Sequence, residues 1–132
     1  MAAVHTLKKT KREVVLKIYQ TESAGGTVQV EANSSYIMVD DENYVQSTST
    51  VEGSRFTIKE IFWGAKKDKQ IDISRVDNAA ANTIHGHYYL LNVGHYDFNG
   101  FVDDTYSNGA VRVVGDGPFH VILKLHKSGY ES

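Results

Sequence analysis

The sequence predicts an all-β domain, an antiparallel β-sandwich or jelly roll of about seven to nine short strands. Three observations carry that expectation. Apolar and polar residues alternate with a period of two through most of the chain. At the carboxyl end, for example, Phe119, Val121, Leu123 and Leu125 are interleaved with His120, Lys124 and His126. Turn signals built on Gly, Asn and Asp separate these runs at roughly 8–12 residues. No segment carries a helical period of useful length, and Asp77-Asn-Ala-Ala-Ala-Asn82 is too short for more than a turn.

Residues 1–11 are small, polar and basic, and read as a flexible N-terminal arm ahead of one β-sandwich domain over 12–132. Glu13 to Gln20 reads as a strand, with Val14, Leu16 and Ile18 on its buried face. Ser23-Ala-Gly-Gly26 is a turn signal, and Thr27-Val-Gln-Val-Glu31 resumes the alternation, so the two runs read as a hairpin. Tyr36-Ile-Met-Val39 is an apolar run of strand type, broken by Asp40-Asp41-Glu42-Asn43. Val45 to Val51 is polar and rich in Ser and Thr, as in an edge strand or a long loop.

Ser54 to Trp63 is a strong strand whose phase slips between Ile58 and Ile61, where a β-bulge would restore the buried face. Gln70 to Val76 follows a charged turn, giving a second expected hairpin over 56–76. Thr83 to Val93 carries bulk on both faces, as a central strand would. His95 to Phe101 is aromatic and irregular, and Asp103 to Gly109 reads as a loop. Ala110 to Val114, Gly115-Asp-Gly-Pro118 and the last strand form a third expected hairpin.

Composition narrows the function classes. The 132 residues suit one domain with a core large enough to need no staple. The absence of cysteine removes disulfide, iron–sulfur and thiol chemistry and fits a reducing compartment. With 14 basic and 16 acidic residues the net charge is −2, which argues against nucleic acid as a partner. No run is long and apolar enough for a membrane-spanning helix, and the N-terminus does not resemble a secretory signal. The one basic cluster, Lys8, Lys9, Lys11 and Arg12, is the candidate partner-binding element, an arm that would dock on an acidic surface.

Catalytic constellations are incomplete. His85 and His87 lie two apart on one expected strand, and His95 follows, so the three are the candidate metal ligands. The residues after His87 lack the carboxylate that a cupin-type metal signature requires. Satisfied strand histidines are the simpler reading, and no metal or cofactor is expected. Asp40-Asp41 and Asp103-Asp104 are chain neighbours in loops and do not form a ready acid–base dyad. Loop oxygens of Asp97, Asn99, Asp103 and Asp104 suit calcium by type, but their spacing does not match an EF-hand loop. Serine occurs in no nucleophile elbow. Eight Tyr, five Phe and one Trp remain as an asset for stacking or interfaces.

Four stretches carry a family likeness: Val14-Val-Leu-Lys-Ile-Tyr-Gln-Thr21; Ile58-Lys-Glu-Ile-Phe-Trp63 leading into Gln70-Ile-Asp-Ile-Ser-Arg75; Asp97-Phe-Asn-Gly-Phe101 with its following Asp; and Val121-Ile-Leu-Lys-Leu-His-Lys-Ser-Gly-Tyr130. In these the chain resembles small virion structural proteins of short-tailed marine bacteriophages. The resemblance implies a non-enzymatic virion component made in the host cytoplasm. It would be a capsid decoration (cement) protein bound to the capsid exterior, with the major capsid protein or other virion proteins as partners and a homotrimer as one possible state. It transfers no catalytic residue. Two alternatives stay open: a carbohydrate- or receptor-binding module of a phage tail, with Trp63 and several Tyr forming an exposed platform, and a metal-dependent β-fold enzyme using His85, His87 and His95.

Overall fold

The computed structural model describes residues 2–44, 54–77, 83–101, 103 and 109–130. Nine strands lie within them: β1 (Ala2–Lys9), β2 (Glu13–Gln20), β3 (Gly26–Val30), β4 (Arg55–Ala65), β5 (Gln70–Asp77), β6 (Thr83–Leu91), β7 (Val93–Asp97), β8 (Ala110–Gly115) and β9 (Phe119–Ser128). They form two antiparallel sheets, ordered β1-β2-β9-β4-β7 and β3-β8-β5-β6. The pairs β2·β9, β3·β8, β4·β7 and β5·β6 are nested. A single long antiparallel ribbon wound into two facing sheets gives this order, which is that of an eight-stranded jelly roll with β1 added at one edge.

Alternation decides which side chains enter the space between the sheets. In β9, Phe119, Val121, Leu123 and Leu125 are buried. They meet Val14, Leu16 and Ile18 of β2 and Phe56, Ile58 and Ile61 of β4 on the same sheet. The opposing layer supplies Val30, Ile71, Ile73, Leu90, Val111 and Val113. The register between β4 and β9 shifts between Ile58 and Glu60, the bulge that the slipped phase of that strand predicts. It lets both Ile58 and Ile61 face inward.

The three expected hairpins do not form. After β2 every connection except β5–β6 passes from one sheet to the other, so β2/β3, β4/β5 and β8/β9 are corners rather than paired neighbours. A turn signal between two alternating runs is the same for a hairpin and for a corner; only the facing layer distinguishes them.

Residues 1–11 also differ from the expected loose arm. β1 pairs with β2 from Ala2 opposite Gln20 to Lys9 opposite Val14, with a shift between Thr6 and Lys8. The exposed backbone edge of β2 supplies the hydrogen bonds, and Thr6 Oγ1 and Lys9 Nζ add bonds to the carbonyls of Tyr36 and Ser35. Nor is Tyr36–Val39 a strand: it lies in a run of turns, with Ile37 buried and Met38 half-buried against the core.

β6, expected as a central strand, is an edge strand, and its continuation switches sheets at Asn92, whose φ of 61° is the left-handed conformation that Asn tolerates. The expectations for residues 45–51, for the turn at 77–82 beyond Asp77, and for the loop between Asp103 and Gly109 lie outside the described residues.

Two buried cations cross-link the fold. Lys127 continues the inward phase of β9, and its ammonium donates to Thr10 O at 3.0 Å, Ile37 O at 2.8 Å and Glu42 Oε2 at 2.6 Å. Arg75 on β5 donates to Phe56 O at 2.7 Å, Gly109 O at 2.8 Å and Ala110 O at 3.2 Å. Its guanidinium lies 4.0 Å from the Phe56 ring centre. Burial lowers the Arg75 pKa to about 10, so the side chain stays charged at neutral pH.

Candidate functional site

β6 and β7 are one nearly continuous stretch of chain that forms the free edge of both sheets on the same flank. Nine large apolar side chains are exposed among the described residues, and seven of them lie on or next to these two strands: Ile84, Tyr89 and Leu91 on β6, Val93 and Tyr96 on β7, Phe101 just beyond it, and Phe62 of β4 opposite His95. The exposure of Tyr89 (64%), Val93 (79%) and Phe101 (80%) is far above what core packing leaves. Bulk on both faces of this segment, which suggested a central strand, therefore marks an edge with an apolar outer surface. Apolar side chains concentrated beside unpaired strand edges are an interaction surface by type. Phe98 is buried behind it, with Tyr88 edge-on at 5.6 Å and Tyr96 at 4.7 Å. These rings close the open side of the sandwich.

On the outward face of the larger sheet, register places Glu60 opposite Asp97 and Phe62 opposite His95. The His95 ring stacks on Phe62 at 4.1 Å, and its Nε2 lies 3.0 Å from Glu60 Oε2. A cleft of about 460 Å³ opens beside this group, and Lys124, His126 and Phe101 are among its lining residues. A second, of about 800 Å³, lies across the sheet among His5, Lys17, Tyr19, His120 and Ile122. Both are open to solvent.

The three histidines read as candidate metal ligands do not converge. Between β5 and β6 the register shifts, and Gly86 takes a φ of 62°, a conformation easy for glycine. That bulge breaks the simple alternation, so His85 and His87 do not share a face. His85 lies opposite inward-facing Arg75. His87 faces outward, with Nδ1 at 3.0 Å and 3.1 Å from the two carboxylate oxygens of Asp72 and its ring stacked on Tyr89. His95 is on the other sheet.

The basic cluster lies at the end of β1 and on the turn that follows, with part of it engaged within the domain. Lys8 bonds Glu13 Oε1 at 2.9 Å, Lys9 bonds Ser35 O at 2.8 Å, and Arg12 lends its carbonyl to the Lys127 amide. Lys11 and Arg12 are exposed, on the turn between β1 and β2.

Trp63 is not an open stacking face. Its indole donates to Leu91 O at 3.0 Å, and Gly94 packs so closely that a Cβ there would sit 2.4 Å from the ring. Asp103 accepts a bond from the Tyr88 hydroxyl, and Ile58, Arg75, Tyr88 and Asp103 enclose one small space. Burial, and then that carboxylate, raise the Tyr88 pKa well above the ordinary tyrosine range, so the hydroxyl stays a donor. This group braces the core around Arg75.

Sequence reasoning missed the apolar flank because the exposure of Leu91 and Val93 depends on both sheets ending beside them. It missed the Glu60–His95–Asp97 group because β4 and β7 are far apart in sequence. The chain matches no family model and shows no significant similarity to a curated protein.

Proposed function

We propose that this protein is a non-enzymatic structural component of a phage virion, a decoration protein that docks on the capsid exterior through its β6–β7 flank. One observation carries the reading: among the described residues, seven of the nine exposed large apolar side chains lie on or next to β6 and β7, the edge strands of the two sheets. The strand stretches that resemble small virion proteins add to it, as does the jelly-roll order, a frequent choice among capsid proteins. A β-sandwich with exposed apolar side chains along its edge strands and clefts open to solvent suits assembly rather than turnover. The docking element differs from the one first expected. Lys8 and Lys9 are engaged within the domain, and the flank supplies the contact surface in their place.

The test is quantitative mass spectrometry of purified virions encoding this chain, with a Val93→Asp, Leu91→Asp double variant beside the parent. Copies comparable in number to the major capsid protein, lost in the double variant while its fold persists, support the reading. A handful of copies assigns the chain to the neck or tail instead. Absence from virions, or unchanged incorporation of the variant, overturns the virion role or the flank, respectively.

A further inference from the structure

We propose that Glu60, His95 and Asp97 form a surface site for a borderline divalent cation, zinc foremost. The proposal is independent of the docking reading. One ligand atom from each of the three residues lies within 4.8 Å of the other two. The His95 Nε2 to Glu60 Oε2 separation is already 3.0 Å. Zinc bonds of about 2.0–2.2 Å in tetrahedral geometry hold neighbouring ligand atoms roughly 3.3–3.6 Å apart. The observed separations, 3.0 Å for His95 Nε2 to Glu60 Oε2 and at most 4.8 Å within the group, bracket that spacing.

The backbone fixes the arrangement. Glu60 of β4 and Asp97 of β7 are directly opposite in the register, and His95 lies two residues along β7 on the same face. Two carboxylates facing each other across strands repel, and a cation between them removes the repulsion. The imidazole is held by its stack on Phe62, interplanar angle 7°, which limits its freedom before an ion arrives. The remaining carboxylate oxygens have other tasks. Glu60 Oε1 lies 3.8 Å from the Lys124 ammonium, and Asp97 Oδ1 accepts the Asn99 amide at 2.7 Å. Glu60 Oε2, Asp97 Oδ2 and His95 Nε2 are thus the natural ligand set. One imidazole and two carboxylates suit zinc or another late first-row ion, with water completing the shell. His87 with Asp72 is a pair of the same types without a third ligand among the described residues, and so serves as an internal control.

The experiment is calorimetric titration of the full chain, freed of metal by chelator and dialysis, with zinc chloride at neutral pH. Histidine ring nitrogen shifts are followed by NMR. The expected result is one equivalent bound, with the His95 Nε2 resonance shifted. Losing a ligand should weaken binding at least as much as losing an outer-shell partner, by about a hundredfold or more in His95→Gln and about tenfold or more in Asp97→Asn, with no change in His87→Gln. Circular dichroism of the variants should match the parent. No saturable binding up to millimolar zinc overturns the proposal. So does saturable binding that His95→Gln leaves intact, since the ion would then sit on other surface histidines.

Discussion

Replacing Lys127 by Met tests how the buried cation holds the molecule together. Its side chain and that of Glu42 are fully buried, with 2.6 Å between Nζ and Oε2. The ammonium also satisfies the carbonyls of Thr10 and Ile37, so it links β9 to the β1–β2 turn and to the turn-rich segment around Ile37. Glu42 Oε2 takes a second bond from the Val39 amide, whereas Oε1 has no hydrogen-bond partner among the described residues. Met has similar length and apolar character, so Lys127→Met leaves little cavity. It strands a buried carboxylate and two carbonyls. Removing one partner of a buried ion pair costs about 3–5 kcal/mol.

For a domain of this size each kcal/mol moves Tm by roughly 3–5 °C, so the midpoint should fall by about 10–20 °C. Adding Glu42→Leu removes the stranded carboxylate, leaving two carbonyls and one amide without partners. The double variant should recover on the order of 2 kcal/mol or more relative to the sum of the single losses. Urea unfolding followed by Trp63 fluorescence and far-ultraviolet circular dichroism gives the three free energies. A loss below about 1 kcal/mol for Lys127→Met, or strictly additive losses in the double variant, would refute the argument that the pair is buried and coupled.

Two further outcomes follow from the core and from the surface charges. Leu123 is fully buried, with Leu16 and Ile61 as its cross-strand partners. Leu123→Ala should therefore cost about 3–5 kcal/mol by cavity formation, and unchanged urea stability would mean that the sheet face is reversed. The Glu13 pKa is lowered: the hydrogen bond from Lys8 outweighs the opposing effect of burial, and the nearby Lys124 lowers it further. A carboxyl depressed in the folded state contributes stability above its ordinary pKa and loses it as pH falls through the folded value. Glu13→Gln should therefore flatten the acid limb of the stability profile, most visibly at low salt, and an unaltered slope would count against this ion pair.

The sequence determined the all-β class, the inward faces of β2, β4 and β9, and the bulge after Ile58, because a two-residue period on a pleated strand reports burial directly. Lys127 continues the inward phase two residues after Leu125, but the apolar run read from the sequence ends at Leu125 and does not mark the lysine as buried. Its partner was not legible either, because Glu42 reaches it only through the fold. Tertiary structure alone decided that adjacent strands turn corners instead of pairing, that the basic N-terminal segment is claimed by the open edge of β2, and that His85 and His87 part company at the Gly86 bulge. It also decided that Glu60 meets His95 and Asp97. The physical reason is common to all of these. A local pattern states which side of a strand is buried, whereas the neighbour across a sheet depends on backbone pairing between residues distant in the chain.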